Sequence, residues 1–114
     1  EGATLAVPTY GAVSAAKAAL EAHVRQLALE LMPHGITVNA IRAGVTDTPA
    51  LRRIPNWEHL LAESERRNPG NRTTRPEDVA DALVALASPL THWMTGNVIG
   101  VDGGEVMGQR DPGS

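Results

Sequence analysis

The 114 residues predict an α/β protein with a parallel sheet, and three observations carry that reading. Apolar residues recur at three- and four-residue steps through Val13, Ala16, Leu20, Val24, Leu27 and Leu31, the period of a long amphipathic helix. Two short runs rich in β-branched residues, "ITVNAI" and "GNVIGVDGG", are bounded by glycine and suit strands. Between them lies helical sequence of the kind that carries a chain across a sheet to the next parallel strand.

Each element has its own local signals. Lys17, Glu21, Arg25 and Glu30 interrupt any purely apolar reading of the first helix, and "MPHG" closes it with Pro33 and Gly35. "ITVNAI" then reads as a buried strand between Gly35 and Gly44, and "AGVTDTPAL" as a loop. "NWEHLLAESERR" is a short polar helix fenced by Pro55 and by Pro69-Gly70. In "RPEDVADALVALASP" Pro76 marks a helix start, and Glu77 and Asp78 fall in the first turn, where the helix dipole favours acids. Pro89 stops that helix, "GNVIGVDGG" is a strand ended by a glycine pair, and "QRDPGS" is a frayed tail. Two strands make a poor sheet. A doubly wound domain also needs a first strand and the glycine turn that receives a pyrophosphate, and no G-x-G occurs here. Residues 1–114 are therefore expected to be a single partial domain, the later part of a larger one.

Composition removes several function classes. With 42% hydrophobic residues the chain can supply a core. A net charge of −3, dispersed basic residues and only three aromatics give neither the electrostatic footprint nor the stacking platform of a nucleic-acid binder. Without cysteine there is no disulfide framework, thiolate catalysis or Cys-ligated zinc. His23, His34, His59 and His92 lack ligand spacing, so no metal is expected. With no signal peptide or long apolar span, the expectation is a cytoplasmic protein that does not enter a membrane.

The ordered set "Y…K" at a helix head, "ALELMPHGITVNAIRAG", "TDTPAL", "RPEDVA" and "TGNVIGVDGG" resembles the C-terminal half of the short-chain dehydrogenase/reductase family, from about Ala3 to Met107. The resemblance implies a Rossmann-type doubly wound parallel sheet, of which this is the C-terminal half, and NADH or NADPH as cofactor. The N-terminal dinucleotide-binding half, with the residue that chooses between the two cofactors, is not in the sequence. Most members of the family place their tyrosine four residues before the lysine, a position held here by Val13. Enoyl-thioester reductases of the family place it seven before, as Tyr10 stands to Lys17, and carry "AG" where ketone reductases usually have "PG", as at Ala43-Gly44. Among them, "AALEAHVRQLALEL" followed by "DTPALRRIPNWEHLLAESERRNP" resembles the FabL-type enoyl-[acyl carrier protein] reductases.

What the resemblance implies can be set beside what the residues alone allow. Seven helical positions separate Cα atoms by ~10 Å along the axis, against ~6 Å for four, so Tyr10 must reach from the first turn or from outside it. The implied role for Tyr10 is to stabilise the enolate of an acyl thioester, borne on acyl carrier protein; for Lys17 it is to hold the cofactor ribose. Gly44, Thr46 and Thr48 are the implied cofactor-side loop. Taken singly, Tyr10 reads as a helix-entry packing residue and Lys17 as a solvated lysine, and only the family pattern favours function for both; Gly44 can also be a turn glycine, and Thr46 and Thr48 turn and cap residues. Asp102 reads as a structural cap, and Trp57, Leu60 and Leu61 as acyl-pocket lining or core. Two other functions stay open: a ketone or alcohol oxidoreductase with a displaced tyrosine, and a non-catalytic half-domain that packs against a partner. The family also implies a homodimer or homotetramer built partly on the long helix, and the small residues of "AAKAALEA" permit close helix approach.

The phosphate site of a doubly wound sheet is the first glycine turn and the helix N-terminus behind it. These 114 residues by themselves are therefore expected to show no measurable affinity for NADH or NADPH by calorimetry and no reductase activity. Saturable micromolar binding would mean that a phosphate site is built from segments read here as loops.

Overall fold

The computed structural model describes residues 11–106. Helix α1, Gly11–Leu31, runs for 21 residues through alanine-rich sequence in which nothing interrupts the hydrogen-bond ladder. It tightens into a 3₁₀ turn over Met32–His34, where Pro33 has no N–H to continue the ladder. Gly35 ends it with φ 74°, and its N–H donates to the Met32 carbonyl at 2.9 Å. A Cβ at Gly35 would touch nothing, so the backbone conformation and not space selects glycine there.

The apolar stripe of α1 is only partly covered. Val24 and Ala28, one turn apart, are the buried apolar residues among those described, whereas Leu20 is 58% and Leu27 42% exposed. Gly96 explains the choice, because a Cβ built on it would stand 3.5 Å from the Ala28 Cβ. Two small residues let the chain pass close to the helix at that point.

The first strand begins later than expected. Strand β1 is Ala40–Ala43 and β2 is Val98–Val101, so residues 36–39 of "ITVNAI" lie outside the strand and Ile36 is exposed. Side chains take part in the bonding of that stretch. Val38 N–H donates to Thr95 Oγ1 at 2.9 Å, Asn39 Nδ2 to the Met94 carbonyl at 3.0 Å, and Asn97 N–H to Asn39 Oδ1 at 3.1 Å. Regular pairing starts with Ala40 N–H donating to the Asn97 carbonyl and ends with Gly44 N–H donating to the Val101 carbonyl. Donor and acceptor advance together along the chain, so the two-stranded sheet is parallel, as the α/β reading requires.

Helix α2, Trp57–Arg67, and helix α3, Pro76–Ala87, fall where the sequence places them. Among the described residues no helix is long and apolar enough to cross a membrane. The described residues divide into two compact units, one formed by 11–40 with Ser88–Ile99, the other by Ile41–Ala87 with 100–106.

The start of α3 is held by charge as well as by Pro76. Asp78 is the third residue of the helix and reaches back to accept the Arg75 N–H at 2.8 Å, the return half of a capping box. Arg72 grips the same carboxylate with Nη1 at 2.7 Å and Nη2 at 2.9 Å. The Arg72 hydrogen bonds, followed by the Arg75 N–H, hold the Asp78 carboxyl down from 3.8 to about 2. A native pKa below the unfolded one stabilises the fold at pH above the unfolded value, and the contribution is lost as pH falls through the native one. The first turn of α3 should thus loosen between pH 3.8 and about 2, with the Asp78 carboxyl carbon titrating in NMR at the lower end of that window. Asp78→Asn should abolish this acid response, and a wild-type midpoint at the ordinary 3.8 would show that the Arg72 grip does not persist in solution.

Candidate functional site

Of the sequence-predicted catalytic pair, Tyr10 and the side chain of Val13 lie outside the described residues. Lys17 stands in the second turn of α1, exposed, and makes no ion pair among the described residues. It belongs to the first unit, whereas Gly44, Thr46 and Thr48 belong to the second and are brought together there on one loop.

That loop is built by close approach. A Cβ at Gly44 would stand 2.5 Å from Thr74 Oγ1, 3.0 Å from Asp102 Cβ and 3.2 Å from Asp102 Cα. A methyl group here would force Thr74 or Asp102 to shift, before any ligand is considered. Thr46 makes an isolated parallel bridge with Thr74, and its Oγ1 donates to the Gly44 carbonyl at 2.7 Å. Thr48 Oγ1 accepts the Leu51 N–H at 3.2 Å and its carbonyl accepts the Arg52 N–H at 3.1 Å, which starts the 3₁₀ turn Leu51–Arg53. The turn-and-cap chemistry that the sequence allows for both threonines is thus present.

The loop continues into α2 through charge and an aromatic face. Arg52 donates Nε and Nη2 to the two Asp47 oxygens at 2.8 and 2.9 Å, and its guanidinium lies 4.6 Å from the centroid of the Trp57 ring. The Arg52 hydrogen bond lowers the Asp47 carboxyl below its ordinary value and raises the guanidinium in return. Trp57 therefore offers one ring face to Arg52. Trp57 and Leu61 are half-buried on α2, and Leu60 is exposed.

Asp102 plays the structural part expected of it. Its Oδ1 accepts the Gly104 N–H at 2.9 Å, its carbonyl accepts Asn68 Nδ2 at 2.9 Å, and Oδ2 faces Arg42 Nη2 at 3.8 Å. Beside this turn the second unit has an open pocket of about 360 Å³ with a mixed polar and apolar lining that includes Asn68, Arg72, Thr73, Asp78 and Gly103. The first unit has an apolar one of about 730 Å³, lined in part by Leu29, Met32, Pro33 and Trp93. Among the described residues no group of three or more His, Asp or Glu is placed to hold a metal ion.

Sequence reasoning missed Glu105 and Ser64. Glu105 is 3% exposed and Ser64 fully buried, and the Ser64 hydroxyl donates to Glu105 Oε1. Glu105 Oε2 accepts the Val45 N–H at 3.4 Å, inside the loop that carries Gly44, Thr46 and Thr48. A carboxylate just after a glycine pair reads as a surface charge, and no periodicity marks it otherwise.

The Gly44 contacts give a direct test of why glycine stands there. Gly44→Ala forces a shift of Thr74 or of the Asp102 backbone and should cost about 1–3 kcal/mol in urea unfolding. Wild-type stability in that variant would move the reason for Gly44 away from packing.

The family model described as "Enoyl-(Acyl carrier protein) reductase" matches residues 1–105. The NADH-dependent enoyl-[acyl-carrier-protein] reductase FabI of Escherichia coli K12 is 42% identical over 103 residues, 90% of this chain and 39% of the relative. The crystal structure of the Bacillus cereus enoyl-acyl carrier protein reductase with NADP+ and indole naphthyridinone superposes with TM-score 0.83 at 42% identity, covering 92% of this chain and 41% of that one. A short chain dehydrogenase family protein of Francisella tularensis superposes with TM-score 0.77 at 27% identity, covering 93% and 48%. The chain thus spans about 40% of the length of the curated relatives it matches. These relatives carry the name FabI, where the segment around α2 suggests the FabL type; the enzyme class is the same. The fold is that of the later part of a Rossmann-type α/β domain, and the chain belongs to the enoyl-(acyl carrier protein) reductase family within the short-chain dehydrogenases and reductases.

Proposed function

We propose that this chain is a partial domain, the C-terminal, catalytic side of an NAD(P)H-dependent reductase of enoyl thioesters carried on acyl carrier protein, completed by a dinucleotide-binding half. The observation that carries this reading is the spacing of Tyr10 and Lys17 with Val13 between them, in a chain 42% identical to an NADH-dependent enoyl reductase over 90% of its length. Valine can neither donate a proton nor bind an oxyanion, so the acid used on ketones is missing.

The residues that are described suit the nicotinamide side of a cofactor. Lys17 is exposed and unpaired among the described residues, so its ammonium can meet the ribose hydroxyls. Thr48 Oγ1 accepts from Leu51, which leaves its own hydrogen for a cofactor oxygen; Thr46 already spends its hydrogen on Gly44 and is the weaker contact. Gly44 lets the loop that carries the two threonines pass close to Thr74 and Asp102. When bound, the reduced nicotinamide supplies a hydride to the β-carbon of the enoyl thioester. The π electrons of the C=C bond then move to the thioester oxygen as an enolate, to which Tyr10 donates a hydrogen bond. The enolate takes up a proton at its α-carbon from solvent to complete the saturated thioester. Lys17 adds a positive charge nearby and favours the ionised form of neighbouring acids. Residues 15–20 of α1 are exposed on every side, which supports a second copy of this helix against the alanine-rich segment in a homodimer or homotetramer.

The full-length protein should reduce crotonyl and longer enoyl thioesters faster than 3-oxoacyl thioesters. Tyr10→Phe removes the donor to the developing charge and should lower turnover by a factor on the order of 10² while leaving cofactor affinity nearly unchanged. Equal turnover in the Phe variant would reduce Tyr10 to a packing residue and sink the reading.

A further inference from the structure

Glu105 joins three segments that are far apart in sequence. Its two oxygens bond Ser64, 41 residues away on α2, and Val45, 60 residues away on the loop after β1. Its own N–H donates to the Asp102 carbonyl at 3.0 Å, so the reaching residue is itself fixed by the "VDGG" turn. All of these groups belong to the second unit.

A packing role alone does not call for this residue type. Glu105 is 3% exposed and makes no ion pair among the described residues, so its carboxylate is held by hydrogen bonds alone. Removing a carboxylate from water is costly unless its oxygens find donors, and a leucine or methionine would fill such space without that cost. The carboxylate instead has one oxygen for each of two segments. On α2, Trp57, Leu61 and Ser64 follow one another at four- and three-residue steps and so share one face. Anchoring Ser64 fixes the rotation of α2 and with it that face. Anchoring Val45 fixes the residue between Gly44 and Thr46.

Resting on the reductase reading above, we propose that Glu105 is a positioning residue: it ties the cofactor-side loop, Gly44 to Thr48, to the acyl-side helix α2 and sets the spacing between the two halves of the substrate site. The two bonds of Glu105 then act on different substrates. The bond to Val45 governs the cofactor, and the bond to Ser64 governs the thioester.

The test uses the full-length protein with hydrogen exchange at Val45 and steady-state kinetics. Glu105→Ala should speed exchange of the Val45 amide about tenfold or more and raise the KM values for both NAD(P)H and the enoyl thioester by about fivefold, with kcat less affected. Ser64→Ala, the milder change, should raise the thioester KM alone. Glu105→Gln can accept from Val45 with its oxygen and donate to Ser64 with its amide, and should restore both KM values and the slow exchange. Glu105→Ala and Ser64→Ala variants that only melt earlier, with both KM values and Val45 exchange unchanged, would overturn the proposal. Should Glu105→Ala fail to fold, the split between the two KM values in Ser64→Ala decides. A wild-type protein without enoyl reductase activity overturns the reductase reading and not the tie itself, which the Val45 exchange then decides alone.

Discussion

At Gly44 the backbone passes Thr74 and Asp102 with no room for a methyl group, since a Cβ would lie 2.5 to 3.2 Å from their atoms. The rest of the second unit is arranged around that approach. Because the strand end lies so close, Gly44 N–H can reach the Val101 carbonyl, and Thr46 can bridge to Thr74 one step further along. Because Asp102 is held there, its Oδ1 can close the glycine turn on Gly104 and its carbonyl can receive Asn68 from the end of α2. The loop proposed to meet the cofactor is thus placed by the protein's own steric and hydrogen-bonding demands. A ligand would meet a surface already made.

The interior that results is polar. Ser64, Asn68, Thr74 and Glu105 are the buried residues of the second unit among those described, and Val24 and Ala28 those of the first. Meanwhile Leu29, Val84, Leu90 and Trp93 are between 73 and 92% exposed. Burial of apolar surface is the main favourable term in folding, so side chains left in water contribute little of it. A chain that spans about 40% of its relatives' length has the composition of a core and, within the described residues, little of the cover for one. The polar network matters more for that reason. Hydrogen bonds give a few segments definite positions where close packing of apolar groups does not.

Local signals were readable in the sequence wherever the cause is local. Pro33 and Gly35 end α1 through a missing donor and a left-handed backbone, and Pro76 with Asp78 begins α3 through ring geometry and a capping carboxylate. The start of β1 was not readable, because Thr95 and Asn97 engage residues 38 and 39 from more than fifty positions away. The stripe of α1 failed in part for the same kind of reason: period shows which face is apolar, and only a neighbour such as Gly96 decides how much of it is covered. In the candidate site, the role proposed for Tyr10 and Lys17 comes from resemblance, whereas the turn at Thr46 and Thr48 was legible from the residues themselves. The reason for Gly44 lies in Thr74 and Asp102, and the burial of Glu105 lies in Ser64 and Val45. No local pattern encodes either.

Two polar links join the Gly44–Thr48 loop to α2, and they differ in what surrounds them. The outer link runs from Asp47 through Arg52 to the ring of Trp57, with the Arg52 and Asp47 side chains 56 and 42% exposed. Water and salt screen such a pair, and two long side chains lose freedom to make it, so its hold on the backbone is weak. The inner link runs from Val45 through Glu105 to Ser64, with both side chains all but removed from solvent. Screening cannot reach it, and losing one partner leaves a buried donor or acceptor without its bond. The outer link therefore adds little to the placing of the loop, and the inner one fixes its position against α2.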